Sequence, residues 1–350
     1  MKFKNAFLYA LILSLVIIGA WEMYWRTQGK LPTLQNDKAL WAEQRRKIHH
    51  FNHEGFILVG SSRLLFDIQL PVWEQQLGIK PIQLAMGGAS PLPVFRDIVQ
   101  NTNFNGTIIL GVTPGLFFST VSPQESPISG IQETIDYYHN QTFAQRINHW
   151  LSLPMQQNLV LMHQHEAMMD GNIDLKSWLK KVDLGTRTEH PKFPPFYEIG
   201  EIQRDRNTKM LARTATDTAF SNLIKTAFMF SEHIFEMVLP PDKEGTIAYF
   251  LEDLKTFKER GGKVILLRCP SSGDYLALEN QRFTRSEYWD ELVKRSQIPA
   301  YYFEDYPTLQ NHELPDWSHL SATSAAQFTN AFVGILKSDG IISQNMNHSK

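Results

Sequence analysis

The sequence predicts an α/β protein built on a doubly wound, mostly parallel sheet flanked by helices. Three observations carry that prediction. Short apolar runs without polar alternation recur along the chain, four of the five lead into glycine-containing turns, and stretches with helical spacing lie between them. Unbroken apolar strands belong to a sheet covered on both faces, and strand–helix alternation is the signature of the doubly wound class.

In chain order, Lys2 and Lys4 precede an apolar run from Ala6 to Trp21, extended by Met23, Tyr24 and Trp25 beyond the single charge of Glu22. About 20 apolar residues cross a bilayer, so residues 1–25 read as a transmembrane anchor. The lysines favour a cytoplasmic N-terminus, with Trp21, Tyr24 and Trp25 as an aromatic belt at the far interface. Two alternatives stay open. One is a signal peptide cut after Ala20, for which Ile18 is a poor small-residue match; the other is a buried core helix. Either membrane reading puts the rest of the chain outside the cytoplasm.

Residues 26–50 are polar, a stalk followed by a short helix over 38–49. The sheet domain spans 51–338, with strands predicted at 56–59, 81–86, 107–110, 264–267 and 300–303. Helices are expected at 70–77, 93–101, 243–260 and 321–337. Asp242 is a candidate N-cap and Gly261-Gly262 a stop signal for the third of these. Residues 119–239 break the alternation and are too long for one loop. They read as a helical insertion, a cap over the site, with helical segments at 142–151, 153–169 and 207–238 and a loop at 186–198. A polar tail follows at 339–350.

Composition excludes some classes. A hydrophobic fraction of 43% and a charged fraction of 20% are those of a globular chain. A net charge of −2 offers no basic excess for a nucleic-acid partner. The single cysteine, Cys269, allows no internal disulfide and reads as a small buried residue. No phosphate-loop or dinucleotide glycine fingerprint is present, so no nucleotide cofactor is implied. His163-Gln164-His165-Glu166 invites a metal reading, but in a helix residues i and i+2 point to different faces. No metal or other cofactor is expected.

Ligands bind doubly wound sheets at the carboxyl ends of the strands, which selects the segments just after each run. The first is Gly60-Ser61-Ser62-Arg63, where a serine at a strand-to-helix turn presents its hydroxyl beside free helix amides. The last is Asp316-Trp317-Ser318-His319, where an acid three residues before a histidine can orient the imidazole as a base for a serine. Each pattern alone is common, as a turn and as a capping Asp with a surface His. Their order in one α/β chain is more specific.

These segments resemble the blocks of the SGNH (GDSL-like) hydrolases, a flavodoxin-like α/β class. The resemblance covers roughly residues 50–118 and 240–337. It implies Ser62 as nucleophile with Ser61 replacing the usual Asp, and Asp316 and His319 as its partners. Gly88, in Leu84-Ala-Met-Gly-Gly-Ala-Ser90, matches the glycine whose amide joins the oxyanion hole. Block three departs: Gly111-Val-Thr113-Pro114 carries Thr113 where the family has an asparagine donor. With the N-terminal anchor and the Leu314-Pro-Asp-x-x-His-Leu-Ser ending, the chain is similar to the membrane-anchored branch. That branch includes the D-alanyl transfer protein of teichoic-acid modification and the alginate O-acetylation proteins.

The resemblance implies serine-dependent acyl transfer or ester hydrolysis on an envelope glycan or other acylated surface polymer. It also implies a membrane-bound O-acyltransferase partner and a single-pass protein of the bacterial cytoplasmic membrane, its domain facing the periplasm or cell exterior. Arg63 and Arg268, just after strands, are candidate substrate-binding residues; the alternative for Arg63 is a helix-surface pair with Asp67. Trp317 reads as a packing residue. A catalytically silent scaffold or glycan-binding subunit is the competing expectation, and the reach of His319 to Ser62 separates the two.

Overall fold

The computed structural model describes residues 2–51, 55–162, 199–238 and 241–342. The histidines at 163 and 165, Glu166, the loop at 186–198 and most of the tail lie outside them.

Five strands form the central sheet: β1 (Phe56–Val59), β2 (Ile82–Gln83), β3 (Thr107–Gly111), β6 (Lys263–Arg268) and β7 (Ala300–Tyr302). Every pairing among them is parallel and the spatial order is β2-β1-β3-β6-β7. Counted within the sheet this is the order 2-1-3-4-5, whose direction reverses between β1 and β3, the crevice where such folds bind ligands. The register sets Val59 beside Leu110 and Gly111 beside Leu267, so the strand ends are level.

Helices cover both faces, as parallel strands with right-handed crossovers require. Helices α3 (Ser62–Asp67), α4 (Leu70–Leu77) and α14 (Ala322–Ser338) pack together on one side, and α5 (Leu92–Asn101) and α11 (Lys243–Glu259) on the other. All four β1 side chains are buried, with Ile108, Ile109, Leu110, Val264, Ile265, Leu266 and Leu267. Each such aliphatic side chain contributes about 1.5–3 kcal/mol on burial. Asp242 caps α11 by accepting the Gly245 N–H.

The second predicted strand shortens to two residues, yet its alignment persists: the Leu84 and Met86 amides donate to the Leu58 and Gly60 carbonyls. That pairing carries Gly87 and Gly88 up beside Ser61 and Ser62.

Residues 38–49 fold as α2 (Lys38–Arg46) and a 3₁₀ turn (Lys47–His50). Trp41 is fully buried and its indole donates to Leu84 O at 3.0 Å, so this stretch is part of the body. The insertion differs from expectation. It contains α7 (Ser129–Asn140), then one helix, α8 (Phe143–Asn158), running through Pro154 where two segments were expected. The start of the expected 207–238 helix is instead the second strand of an antiparallel hairpin, β4 (Gly200–Ile202) and β5 (Thr208–Met210). Arg206 at its turn has φ +64° and donates to Asn36 Oδ1 and Gln83 O, tying the hairpin to the stalk and to β2. Two helices follow, α9 (Ala212–Thr216) and α10 (Thr218–Val238).

At the other end of the chain, α1 (Lys2–Thr27) is long and apolar enough to cross a membrane, and its apolar window is unburied.

Candidate active site

Gly60 leaves β1 beneath Leu64. A Cβ at Gly60 would lie 2.8 Å from the Leu64 Cβ and 3.3 Å from the Gly111 Cα, so glycine lets α3 sit down on the ends of β1 and β3. Ser61 is the N-cap of α3, but its hydroxyl does not cap the helix. It meets the Thr113 hydroxyl at 2.6 Å across the β1/β3 crevice, and both groups are buried. The two positions where the sequence departs from its resembled pattern are therefore bonded to each other.

Ser62 opens α3 and is half-buried. Gly87 abuts it: a Cβ there would stand 3.8 Å from the Ser62 Cβ. Gly88 occupies the third position of a turn closed by Ala89 N–H to Met86 O, with φ +66°, a conformation that favours glycine. Among the described residues the Ser62 and Gly88 amides donate to no protein acceptor.

The Asp316–His319 turn is closed tightly. Asp316 is fully buried; its Oδ1 accepts the Ser318 and His319 amides at 3.0 and 2.8 Å, and its Oδ2 lies 2.8 Å from His319 Nδ1. Burial works against its charge, but His319 and the two amides outweigh burial and hold the carboxyl below the ordinary Asp value. An ionised Asp316 accepts only, so the Nδ1 proton points at it and Nε2 is the free nitrogen. His319 is 3% exposed, and among the described residues its Nε2 has no hydrogen-bond partner. Trp317 takes φ +69° inside this turn, and its indole fills the space over Gly273, where a Cβ would meet Nε1 at 2.4 Å. Ser272 N–H donates to Trp317 O at 3.0 Å, so the loop after β6 holds the turn.

Helix α3 is the element that joins the two signals. Its Arg63 donates to Ser318 Oγ at 3.2 Å and its Asp67 Oδ1 accepts the Leu320 amide at 3.0 Å. Phe66 packs against the His319 ring, tilted by 39° with the centroids 4.7 Å apart. Residues four apart share a helix face, so Ser62 lies on the same face of α3 as Phe66. Ser62 Oγ and His319 Nε2 are nevertheless not hydrogen-bonded. The insertion closes the far side: Phe228 of α10 lies 5.7 Å edge-on to His319, and Gly200 of β4 packs against the Phe66 ring.

Arg63 and Arg268 are both 1% exposed, so Arg63 is not the helix-surface residue that the pairing with Asp67 supposed. Both are committed to Glu279 on α12 (Gly273–Arg282): Arg63 Nη2 lies 2.9 Å from Oε1, and Arg268 Nη2 lies 2.8 Å from Oε2. Ser271 Oγ donates to the same carboxylate at 2.7 Å. Burial alone would raise the Glu279 carboxyl; Arg268 and Arg63 outweigh it and keep it low. Asp67 is the opposite case: burial, with the Asp316 charge nearby, pushes its carboxyl well up. Burial likewise pushes up the thiol of Cys269 beside it.

Thr113 is buried with its hydroxyl against Ser61 rather than open to the crevice. Sequence reasoning missed Phe66, Phe228 and Glu279. Phe66 could have been found one helical turn after Ser62; no local spacing links Phe228 or Glu279 to the site. Among the described residues no group of His, Cys, Asp and Glu is placed to hold a metal ion. Compared with protein-family models and with curated proteins, the chain matches none.

Proposed function

We propose that this chain is a membrane-anchored serine enzyme of the bacterial envelope, an SGNH-type O-acyltransferase or esterase acting on an acylated glycan or other surface polymer. The observation that carries the proposal is the state of His319. Its Nδ1 is locked to an ionised Asp316, and its Nε2 is buried without a partner on the turn against which the Ser62 helix packs. A surface histidine on a capped turn has no reason to be 3% exposed with one nitrogen unsatisfied.

In the proposed reaction Ser62 Oγ attacks the ester carbonyl carbon while its proton passes to His319 Nε2. Asp316 stabilises the imidazolium. The carbonyl oxygen, now an oxyanion, accepts the Ser62 and Gly88 amides, each donor being worth about 3–4 kcal/mol where one has been removed elsewhere. As the tetrahedral centre collapses, the C–O bond to the leaving alcohol breaks and His319 returns the proton to it. Water or a sugar hydroxyl then repeats the sequence on the acyl-Ser62, giving hydrolysis or transfer. The resemblance, the helix α1 and the sheet order support this reading; the resemblance alone implies a membrane-bound O-acyltransferase as the donor partner. Catalytic hydrogen bonds are often open in unliganded enzymes and tighten with substrate, which accommodates the separated Ser62 and His319.

That same separation favours a second reading, a silent scaffold or glycan-binding subunit. A serine-reactive fluorophosphonate decides between them. The full chain should be labelled, with the adduct mapping to Ser62; Ser62→Ala should remove the label and Ser61→Ala retain it. An unlabelled folded protein would establish the scaffold.

A further inference from the structure

We propose that helix α8 (Phe143–Asn158) lies on the bilayer surface with one face inserted at the headgroup–acyl boundary. The inference rests on the membrane reading of α1 and adds a second contact between the body and lipid. Helix α8 has two faces. Leu153 and Gln156 are buried and His149 and Ser152 half-buried, with His149 bonded to Glu43 and Gln156 accepting the Gln35 amide. On the opposite side Phe143, Ile147, Trp150, Leu151 and Met155 are exposed, at 70, 40, 62, 54 and 45%. At 100° per residue they fall within an arc of about 140°. A soluble body does not ordinarily display five large apolar side chains in one stripe.

Its position says what covers it. The end of α1 is fastened to the end of α8: Glu22 accepts the Val160 and Leu161 amides at 2.9 Å, and Arg26 donates to Asn158 O at 2.7 Å. Trp21, Tyr24 and Trp25, packed together at that end of α1, mark where it meets the interface. So the stripe begins at the level at which the span leaves the bilayer. Residues 143–158 contain one cation, Arg146, and no Asp or Glu that an anionic phospholipid surface would repel. The consequence is orientation: two lipid contacts fix the body against the membrane, where a span on a free stalk would let it swing.

The test uses the full chain in vesicles of phosphatidylethanolamine and phosphatidylglycerol, with nitroxide labels on introduced cysteines; native Cys269 is buried. Ile147→Cys, Trp150→Cys and Leu151→Cys carry the question, Leu13→Cys reports the span and Lys258→Cys reports water. Collision with oxygen against a water-soluble nickel chelate should place the three α8 labels about 5–10 Å into the interface, the depth of surface-lying helices. Labels on α8 that read water while Leu13→Cys reads the bilayer core would overturn the proposal and leave the span intact. A Leu13→Cys label in water would overturn both. Labels on α8 shielded from oxygen and nickel alike would mean a protein contact, such as a second copy, and also overturn it.

Discussion

Among the described residues, every polar side-chain atom of the Asp316–His319 pair but one has a partner, whereas across the crevice the polar side chains face each other and two backbone amides have no protein acceptor. The carboxylate of Asp316 takes two amides and the imidazole, leaving only Nε2 unsatisfied. At the ends of β1 and β3, Ser61 and Thr113 satisfy one another, and the Ser62 and Gly88 amides have no acceptor. In the proposed reaction the difference is between a proton-transfer side fixed by side chains and an oxyanion side made of backbone. Mutation should therefore break the first far more easily than the second.

The largest effect belongs to the turn. In Asp316→Asn the side-chain oxygen can still receive the Ser318 and His319 amides, but the new NH₂ faces Nδ1 as a competing donor. The imidazole then turns to the tautomer with its proton on Nε2, unable to accept from Ser62. Turnover of the folded protein should fall by about two to four orders of magnitude. His319→Ala should be as severe and the double variant little worse, since the groups act as one unit. Because Asp316 is held below its unfolded value of about 3.9, its stabilising contribution is present above that pH and lost as pH falls through the folded value. The acid-unfolding curve of Asp316→Asn should accordingly be shallower than that of the parent below about pH 4. Additive kinetic losses, or an active Asp316→Asn enzyme, would make the turn a helix cap.

Glu279 lies beneath both sides, and its loss is read in stability. Glu279→Gln leaves the Arg63 and Arg268 guanidinium groups buried without their counter-charge, which should cost about 3–5 kcal/mol. Urea unfolding measures this as a lower midpoint at unchanged slope. A shift under 1 kcal/mol would mean that water reaches the pair and that the crevice is wetter than the burial implies.

How far the sequence led follows the range of the forces involved. The runs at 56–59, 107–110 and 264–267 are strands because their apolar character is local, and residues 70–77 are a helix for the same reason. The Asp316–His319 contact spans one turn and was legible. What was hidden depends on distant partners: Arg63 looked like a surface arm because Glu279 is 216 residues away. Phe228 joins His319 through packing of the insertion, which no spacing rule reports. Strand β5 was read as the start of a helix because Asn207-Thr208 gives a weak strand signal, and the hairpin turn before it is set by Arg206 reaching Asn36 and Gln83.

The smallest effect tests the oxyanion side. Thr113 stands where the resembled family donates to the oxyanion, yet its hydroxyl is held 2.6 Å from Ser61. If the backbone amides suffice, Thr113→Val should lower kcat of the folded enzyme by no more than about threefold, against the 10²–10³ expected on losing a true oxyanion donor. Its stability is another matter, because it strands the buried Ser61 hydroxyl at a cost of about 1–3 kcal/mol. Ser61→Ala strands Thr113 in the same way. The double variant Ser61→Ala, Thr113→Val removes both polar groups and should regain most of that loss, so the two changes couple strongly when unfolding is measured. In the kinetics they should not couple, since neither hydroxyl touches the reacting oxygen. A collapse of kcat in Thr113→Val alone, rescued by Thr113→Asn or Thr113→Ser, would show instead that Thr113 lets go of Ser61 when substrate binds. The crevice would then have a side-chain donor after all, and the contrast between its two sides would disappear.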